Sequence, residues 1–312
     1  MIVNSTEAPG VTRDDVHRGF SHLVVGPAVL DQIGPAVNSA QSIFIYGPPG
    51  NGKTVIAQAL HGLLAGDVEI PHAIEVEGSI IRVLDPVNHE ERPALADDKL
   101  IDWAPRKDRR WATCRRPMVQ AGGELTLESL DLTFEPRLGY YHAPLQLIAN
   151  GGMLLVDDFG RQRCAPQDLL NRWMVPLESG LDHLTLQSGV TFEVPFMVFV
   201  AFATNIKPSE LVDEAFLRRV RYKVFAQGPT DEEFVRIAEN YCRERDLPCD
   251  RAVIEQLLHG YFKEHRVDRR ACHPRDLINQ ALLLASYRSE PRALTLELLE
   301  SACAAYFVEK SW

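Results

Sequence analysis

The segment Gly47-Pro48-Pro49-Gly50-Asn51-Gly52-Lys53-Thr54 fits GxxxxGK[ST] over its whole length. Glycines in such a loop let the backbone turn tightly, so that successive N–H groups converge on phosphate oxygens. A helix opening at the end of the loop adds a field that favours anions. Lys53 then reaches the β- and γ-phosphates of a nucleotide, and the Thr54 hydroxyl ligates Mg²⁺. A second acidic element closes an apolar run, Met153-Leu154-Leu155-Val156-Asp157-Asp158. Carboxylates at the C-terminal end of a buried parallel strand lie beside a phosphate loop. Asp157 is expected to hold Mg²⁺ through water, and Asp158 to polarise an attacking water. The two motifs predict ATP hydrolysis with Mg²⁺ as the metal.

Such a loop needs a buried strand before it and a helix after it, and the flanks supply both. Residues 42–46 read as a buried strand, and 54–64 carry apolar residues at helical spacing. Residues 72–85 are rich in β-branched side chains and read as extended, 86–118 as irregular, and 143–149 as a short helix. Residues 153–156 and 196–202 read as further buried strands, with a helix over 166–179 and a hairpin over 184–194 around Ser188-Gly189. Strands alternating with helices predict an α/β fold, a doubly wound parallel sheet with helices on both faces. The pattern changes near Gly228-Pro229. Helical patterns follow at 230–246, 250–264, 274–288 and 295–308, the first opening on the capping box Thr230-Asp231-Glu232-Glu233. The expected organisation is an α/β nucleotide-binding domain over 1–228 and a four-helix lid over 229–312.

Together with the residues C-terminal to them, these motifs resemble the AAA+ ATPases over about residues 15–312. Asn205, after Phe202-Ala203-Thr204, is similar to the family's sensor 1, a polar residue that helps to position the water. The stretch Leu211-Val212-Asp213-Glu214-Ala215-Phe216-Leu217-Arg218-Arg219-Val220 resembles the helix that carries the arginine finger. Arg218 or Arg219 would reach the nucleotide of a neighbouring subunit and stabilise transition-state charge. His273-Pro274-Arg275-Asp276 resembles sensor 2, from which Arg275 would reach the γ-phosphate.

Three features narrow the resemblance. The hairpin before the sensor 1 strand is similar to that of the pre-sensor-1 hairpin clade. Gly122-Gly123-Glu124-Leu125-Thr126-Leu127-Glu128 stands where the helix-2-insert branch carries its extra loop. The run Tyr141-His142-Ala143-Pro144-Leu145-Gln146-Leu147-Ile148-Ala149-Asn150-Gly151-Gly152 before the acidic strand resembles MoxR-type ATPases and bacterial enhancer-binding activators, MoxR-like first. The resemblance implies a homo-oligomeric ring, a hexamer, that couples hydrolysis to remodelling or assembly of a client or co-encoded partner protein. An arginine given in trans needs a repeating head-to-tail interface, which closes into a ring. Departures are the activators' GAFTGA loop, absent here, and the second acid. It is usually Glu in the family; Asp158 is one methylene shorter. Two other readings stay open: a motor on DNA or RNA, and a slowly hydrolysing nucleotide-gated scaffold or switch.

A net charge of −10 argues against a nucleic-acid binder that uses its whole surface, though not against a local basic groove. Arg106, Lys107, Arg109, Arg110, Arg115 and Arg116 cluster around Trp103 and Trp111. That pattern suits nucleic acid, a subunit contact or a solvated loop. Six scattered cysteines without a CxxC suggest neither a disulfide framework nor a zinc site. The chain opens on no basic-then-apolar leader, and no window approaches ~18 consecutive apolar residues, so a cytoplasmic setting without membrane insertion is expected. Asp85, Asn88 and His89 come after the stretch that reads as the second strand, where a polar residue could restrain Asp158 or merely sit in a loop. Leu184, Leu186, Val190 and Phe192 give the hairpin one apolar face, and Leu125, Leu127, Leu130, Leu132 and Phe134 give the insert another. These faces suit partner contact or packing on each other.

Replacing Lys53 by Ala removes the direct cation from the β- and γ-phosphates. The expected outcome is loss of ATP binding or turnover, read by fluorescent-nucleotide titration and phosphate release; wild-type values would refute the phosphate loop.

Overall fold

The structure, a computed structural model, describes residues 10–39, 42–92, 108–211 and 214–307. The described residues divide into two compact units. One takes those within Met1–Gly19, Asp31–Tyr46 and Thr54–Val224; the other takes those within Phe20–Leu30, Gly47–Lys53 and Phe225–Trp312.

Along the chain come α1 (Arg13–Gly19), α2 (Pro27–Asn38), β1 (Ile43–Tyr46), α3 (Lys53–Gly62), β2 (Asp67–Pro71), β3 (Ala73–Val76) and β4 (Ser79–Arg82). Next are β5 (Trp111–Arg115), β6 (Met118–Ala121), β7 (Thr133–Glu135), β8 (Tyr140–His142), α4 (Leu145–Ile148), β9 (Met153–Val156) and α5 (Pro166–Ser179). Then come β10 (Leu181–Thr185), β11 (Thr191–Pro195), β12 (Phe199–Thr204), α6 (Pro208–Leu211), α7 (Glu214–Arg219) and β13 (Tyr222–Phe225). The chain continues through α8 (Asp231–Glu244), α9 (Arg251–Leu257), a π-helical turn (Leu258–Phe262), α10 (His273–Tyr287) and α11 (Leu296–Tyr306).

The central sheet of the first unit has the order β13-β1-β12-β9-β6. β1 pairs parallel with β12, β12 with β9, and β9 with β6. Every side chain of β9 and β12 is buried, as a parallel strand covered on both faces requires. The α/β fold with helices flanking a central parallel sheet is therefore the one expected. Its core is aromatic. Phe44, Phe159, Phe202, Phe216 and Trp173 are all buried, and Phe202 meets each of the other four rings with centroids 4.9–6.1 Å apart.

Residues 86–118 depart from the irregular reading. β5 pairs antiparallel with β2, hiding Ala112 and Cys114 while Arg115 stays exposed, and β6 is an edge of the central sheet. Residues 93–107, with Trp103, Arg106 and Lys107, lie outside the described residues. Residues 72–85 do not supply the second strand of the central sheet. They form the β3–β4 hairpin of a separate sheet of order β3-β4-β8-β7. Asp85, Asn88 and His89 thus lie just past a strand of that sheet. Buried His89 accepts the Asp85 N–H at Nδ1 (2.8 Å) and bonds the Ile148 carbonyl through Nε2 (2.9 Å), which ties its loop to α4.

The hairpin β10–β11 forms, with Leu184 opposite Phe192 and Thr185 opposite Thr191, and its apolar face is packed away. Leu184, Leu186 and Val194 share a buried cluster with Ile81, Val83, Tyr141 and Leu147, against which Leu132, Phe134, Val190 and Phe192 are partly buried. Leu125 and Leu130 are buried in the main core. Leu132 and Phe134 of the insert thus pack with the hairpin, whereas Leu125, Leu127 and Leu130 pack in the main core. A buried ionic node locks the assembly. Asp182 of β10, 1% exposed, accepts from Arg172 of α5 (2.6 and 3.2 Å) and from the Gln146 amide of α4 (2.9 Å), which also donates to the Leu130 carbonyl (2.7 Å). Asn150 pins the other strand, donating to the Pro195 carbonyl and accepting from the Met197 N–H, both at 2.7 Å.

The C-terminal helices of the second unit pack around Phe234, Ala238, Ile254, Leu277, Ala281 and Leu299. The Thr230–Glu233 capping box opens α8, and Asp250 and Thr295 cap α9 and α11. No helix of the described residues is long and apolar enough to cross a membrane, and all six cysteines are free thiols.

Arg172→Ala would leave the buried Asp182 carboxylate without its cation. Breaking a buried pair from one side is costly, so a loss of about 3 kcal/mol is expected in chemical denaturation, with the largest gain in amide exchange in β10.

Candidate nucleotide site

Within the second unit the phosphate loop is held by its own backbone and by neighbouring loops. Gly47 has φ +146°, and a Cβ there would stand 2.4 Å from the Ala226 carbonyl oxygen; at Gly50, φ +82°, one would stand 2.6 Å from the Cys272 sulfur. Only glycine satisfies both the backbone and the space. Asn51 is buried, donating to the Ala226 carbonyl (3.2 Å) and accepting the Ala271 N–H (3.2 Å). The Cys272 N–H donates to the Gly50 carbonyl (2.9 Å), which seats the start of α10 on the loop. The Lys53 ammonium, nearly buried, donates to the carbonyls of Gly47 (3.0 Å) and Pro48 (2.9 Å), so a cation stands at the centre of the loop. Arg275 lies three residues beyond Cys272 and pairs with Asp276 (2.9 Å).

Within the first unit, Thr54, the first residue after the loop, donates its hydroxyl to Asp157 at 2.9 Å. Asp157 closes β9. Its N–H extends the pairing with β6 to the Ala121 carbonyl, and its carboxylate also accepts from Gln120 of β6 (3.2 Å). Asp158 is next, with φ +47°, in the left-handed region. A non-glycine residue there costs on the order of 1–3 kcal/mol and persists only where its surroundings enforce it. They do so here. The Phe159 N–H donates to the Ala203 carbonyl (2.7 Å), the Thr204 hydroxyl to the Phe159 carbonyl (2.7 Å), and the Gln162 amide to the Asp157 carbonyl (2.9 Å). The bend brings Asp158 to Asn205, whose amide donates to its carboxylate at 3.0 Å.

Thr54, Asp157, Asp158 and Asn205 are thus brought together. Thr54 and Asp157 form a hydroxyl–carboxylate set suited to a hard cation, and no larger cluster of His, Cys, Asp or Glu able to hold a metal occurs among the described residues. Such a sparse set fits Mg²⁺, which keeps several waters and takes further oxygens from phosphates. Arg218 and Arg219 make their ion pairs elsewhere, with Glu214 and Glu178, both at 2.9 Å. The supporting roles of Gln120 and Gln162 escape sequence reasoning. Gln120 lies in a strand just past a stretch read as irregular, and Gln162 bears no motif.

Comparison with known proteins bears on the fold. A family description, "Domain of unknown function (DUF8689)", matches residues 230–305. Residues of the chain are 41% identical over 54 positions to a vesicle-fusing ATPase of Dictyostelium discoideum, covering 17% of this chain and 7% of that protein. Among solved structures, NtrX from Brucella abortus superposes with a TM-score of 0.55 at 15% identity, covering 95% of this chain and 58% of that one. NtrX has also been solved with ATP, with a TM-score of 0.53. A mutant RuvB of Thermotoga maritima gives 0.53 at 13% identity, covering 91% and 71%. The fold is that of the AAA+ P-loop NTPases, and the chain spans little more than half the length of the NtrX it matches.

His273 opens α10 beside the loop-contacting Cys272. Burial, with repulsion from Arg270 second, pushes its imidazole down from 6.5 to about 4, so it is neutral in the folded protein. The unfolded chain takes up a proton that the fold refuses. Stability is therefore fully present above pH 6.5 and falls as pH drops towards 4, by about 1.4 kcal/mol per pH unit in that window. Amide exchange of α10 measured across pH 4–7, corrected for intrinsic rates, should show this slope, and His273→Phe should flatten it.

Proposed function

We propose that the chain is a ring-forming, MoxR-like AAA+ ATPase that couples ATP hydrolysis to remodelling or assembly of a partner protein. One observation carries the hydrolytic part: Thr54 and Asn205, from different elements, converge on the consecutive acids Asp157 and Asp158. In this reading the backbone of 47–53 and the Lys53 ammonium bind the β- and γ-phosphates. Thr54 and Asp157 hold Mg²⁺, which when bound neutralises charge on the phosphate oxygens. Asp158, with one oxygen held by Asn205, orients and polarises the attacking water. Arg275 meets the γ-phosphate from the lid, residues 229–312. Arg218 or Arg219 serves the neighbouring subunit's site, which makes the ring a requirement of catalysis.

The hairpin and the small sheet share one core, so the element that acts on a partner is their joint body rather than two separate loops. A motor on nucleic acid is less well supported. Of the cluster's four described arginines, three are engaged: Arg110 pairs with Asp108, Arg115 faces Glu90, and Arg116 donates to the carbonyls of Ala65 and Gly151, while Arg109 is exposed.

Steady-state phosphate release tests the reading, together with light scattering with and without ATP. Asp158→Asn is expected to keep ATP and the oligomer but to abolish turnover, and Asp158→Glu separates an enzyme from a switch. A rate gain with Glu would mean that the short acid is a brake. Mixing Lys53→Ala subunits with subunits lacking both Arg218 and Arg219 should restore ATPase, because intact composite sites form between them. Stimulation of wild-type turnover by DNA or RNA would favour the motor instead.

A further inference from the structure

Two arginines of α7 stand as candidates for the residue given in trans, and their surroundings differ. Arg218 pairs with Glu214 one turn back on its own helix, and both side chains are more than three-quarters exposed. Arg219 is 28% exposed and is held across 41 residues of sequence. Its Nε and Nη2 both donate to one carboxylate oxygen of Glu178, on α5, at 3.2 and 2.9 Å. The pair opens onto a cleft of about 690 Å³ lined by Glu178, Ser179, Arg218, Arg219 and Arg221, with Phe196 and Val198 at its apolar side.

We infer that Arg219 is the guanidinium given to the neighbouring copy, and that Glu178 is its positioning residue. The inference rests on the ring ATPase proposed above and assigns the finger within it. A finger must present its charge in one place when the neighbour's phosphates arrive. A free arginine loses rotamer freedom at that moment, whereas one already held has lost it beforehand. Glu178 is two-thirds exposed, so its attraction for Arg219 is screened and yields to a more highly charged phosphate. The clamp also joins elements that answer to the chain's own site. Trp173 of α5 and Phe216 of α7 both pack on Phe202 of β12, the strand that runs into Asn205 and thus to Asp158. A change at one subunit's acid pair then has a packed route to the arginine that serves the next.

The test uses full-length protein in mixed rings. Lys53→Ala subunits cannot turn over ATP themselves but still offer an arginine, so they should rescue Arg219→Ala subunits. The double variant Lys53→Ala/Glu178→Gln should rescue roughly tenfold less, since only the arginine it gives in trans is affected. Glu178→Gln alone should lower kcat by a similar factor with KM within twofold, and Glu178→Asp should recover part of the loss. Unchanged rescue by the double variant, or a raised kcat in Glu178→Gln, would overturn the positioning role. If Arg219→Ala subunits retain full turnover on their own, the assignment to Arg219 fails while the ATPase stands. If no mixture is rescued in a demonstrated mixed ring, action in trans fails, and this inference with it.

Discussion

A parallel strand buried on both faces has room for polar chemistry only at its ends. β9 and β12 hide every side chain, so the polar groups of Asp157, Asp158 and Asn205 begin where the strands stop. Because the strands are neighbours in register, their ends are neighbours too: Val156 stands opposite Phe202, and the chain turns within three residues on each side. That register is what places the Asn205 amide 3.0 Å from the Asp158 carboxylate. Much of the rest depends on it. β6 runs alongside on the other flank and brings Gln120 to Asp157, while α3 begins where Thr54 can reach the same carboxylate.

A second constraint organises the inserted segments. Desolvating a carboxylate is expensive unless a cation and hydrogen bonds answer it. Asp182 receives both, from Arg172 and Gln146, and those residues belong to α5 and α4. The hairpin is thereby bound to the helix after the acid pair and to the turn that precedes β9. Its apolar face then completes the core of the small sheet. Motion of α5 would be passed to the hairpin and the small sheet together.

What could be read from the sequence divides along physical lines. The strands at 43–46 and 153–156 were legible, and the one at 199–204 to within three residues, because a buried parallel strand is a continuous apolar run ending in Gly or polar residues. The C-terminal helices were legible from their period, and the first of them also from its capping box. β2, β5 and β6 were not, because each is short and mixes buried with charged or polar side chains, β5 and β6 beside a run of arginines. Missing β6 displaced the second strand of the sheet to 72–85 and hid Gln120. The apolar faces of the hairpin and insert were visible, but period alone cannot tell a face packed on another from one left for a partner.

Asp158 is one methylene shorter than the Glu usual in the family that the sequence resembles, and a shorter acid by itself would hold its carboxylate less firmly in place. Its surroundings argue otherwise. The residue sits at φ +47°, a conformation that Asp tolerates better than longer or branched side chains do, and the turn is held from both sides by main-chain bonds to β12 and by Gln162. In that backbone the short carboxylate already meets Asn205. A longer acid would have an additional torsion to fix and would have to rebuild that contact. The missing methylene is therefore matched by the bend and by Asn205, so that the carboxylate is held more firmly than its length alone would suggest.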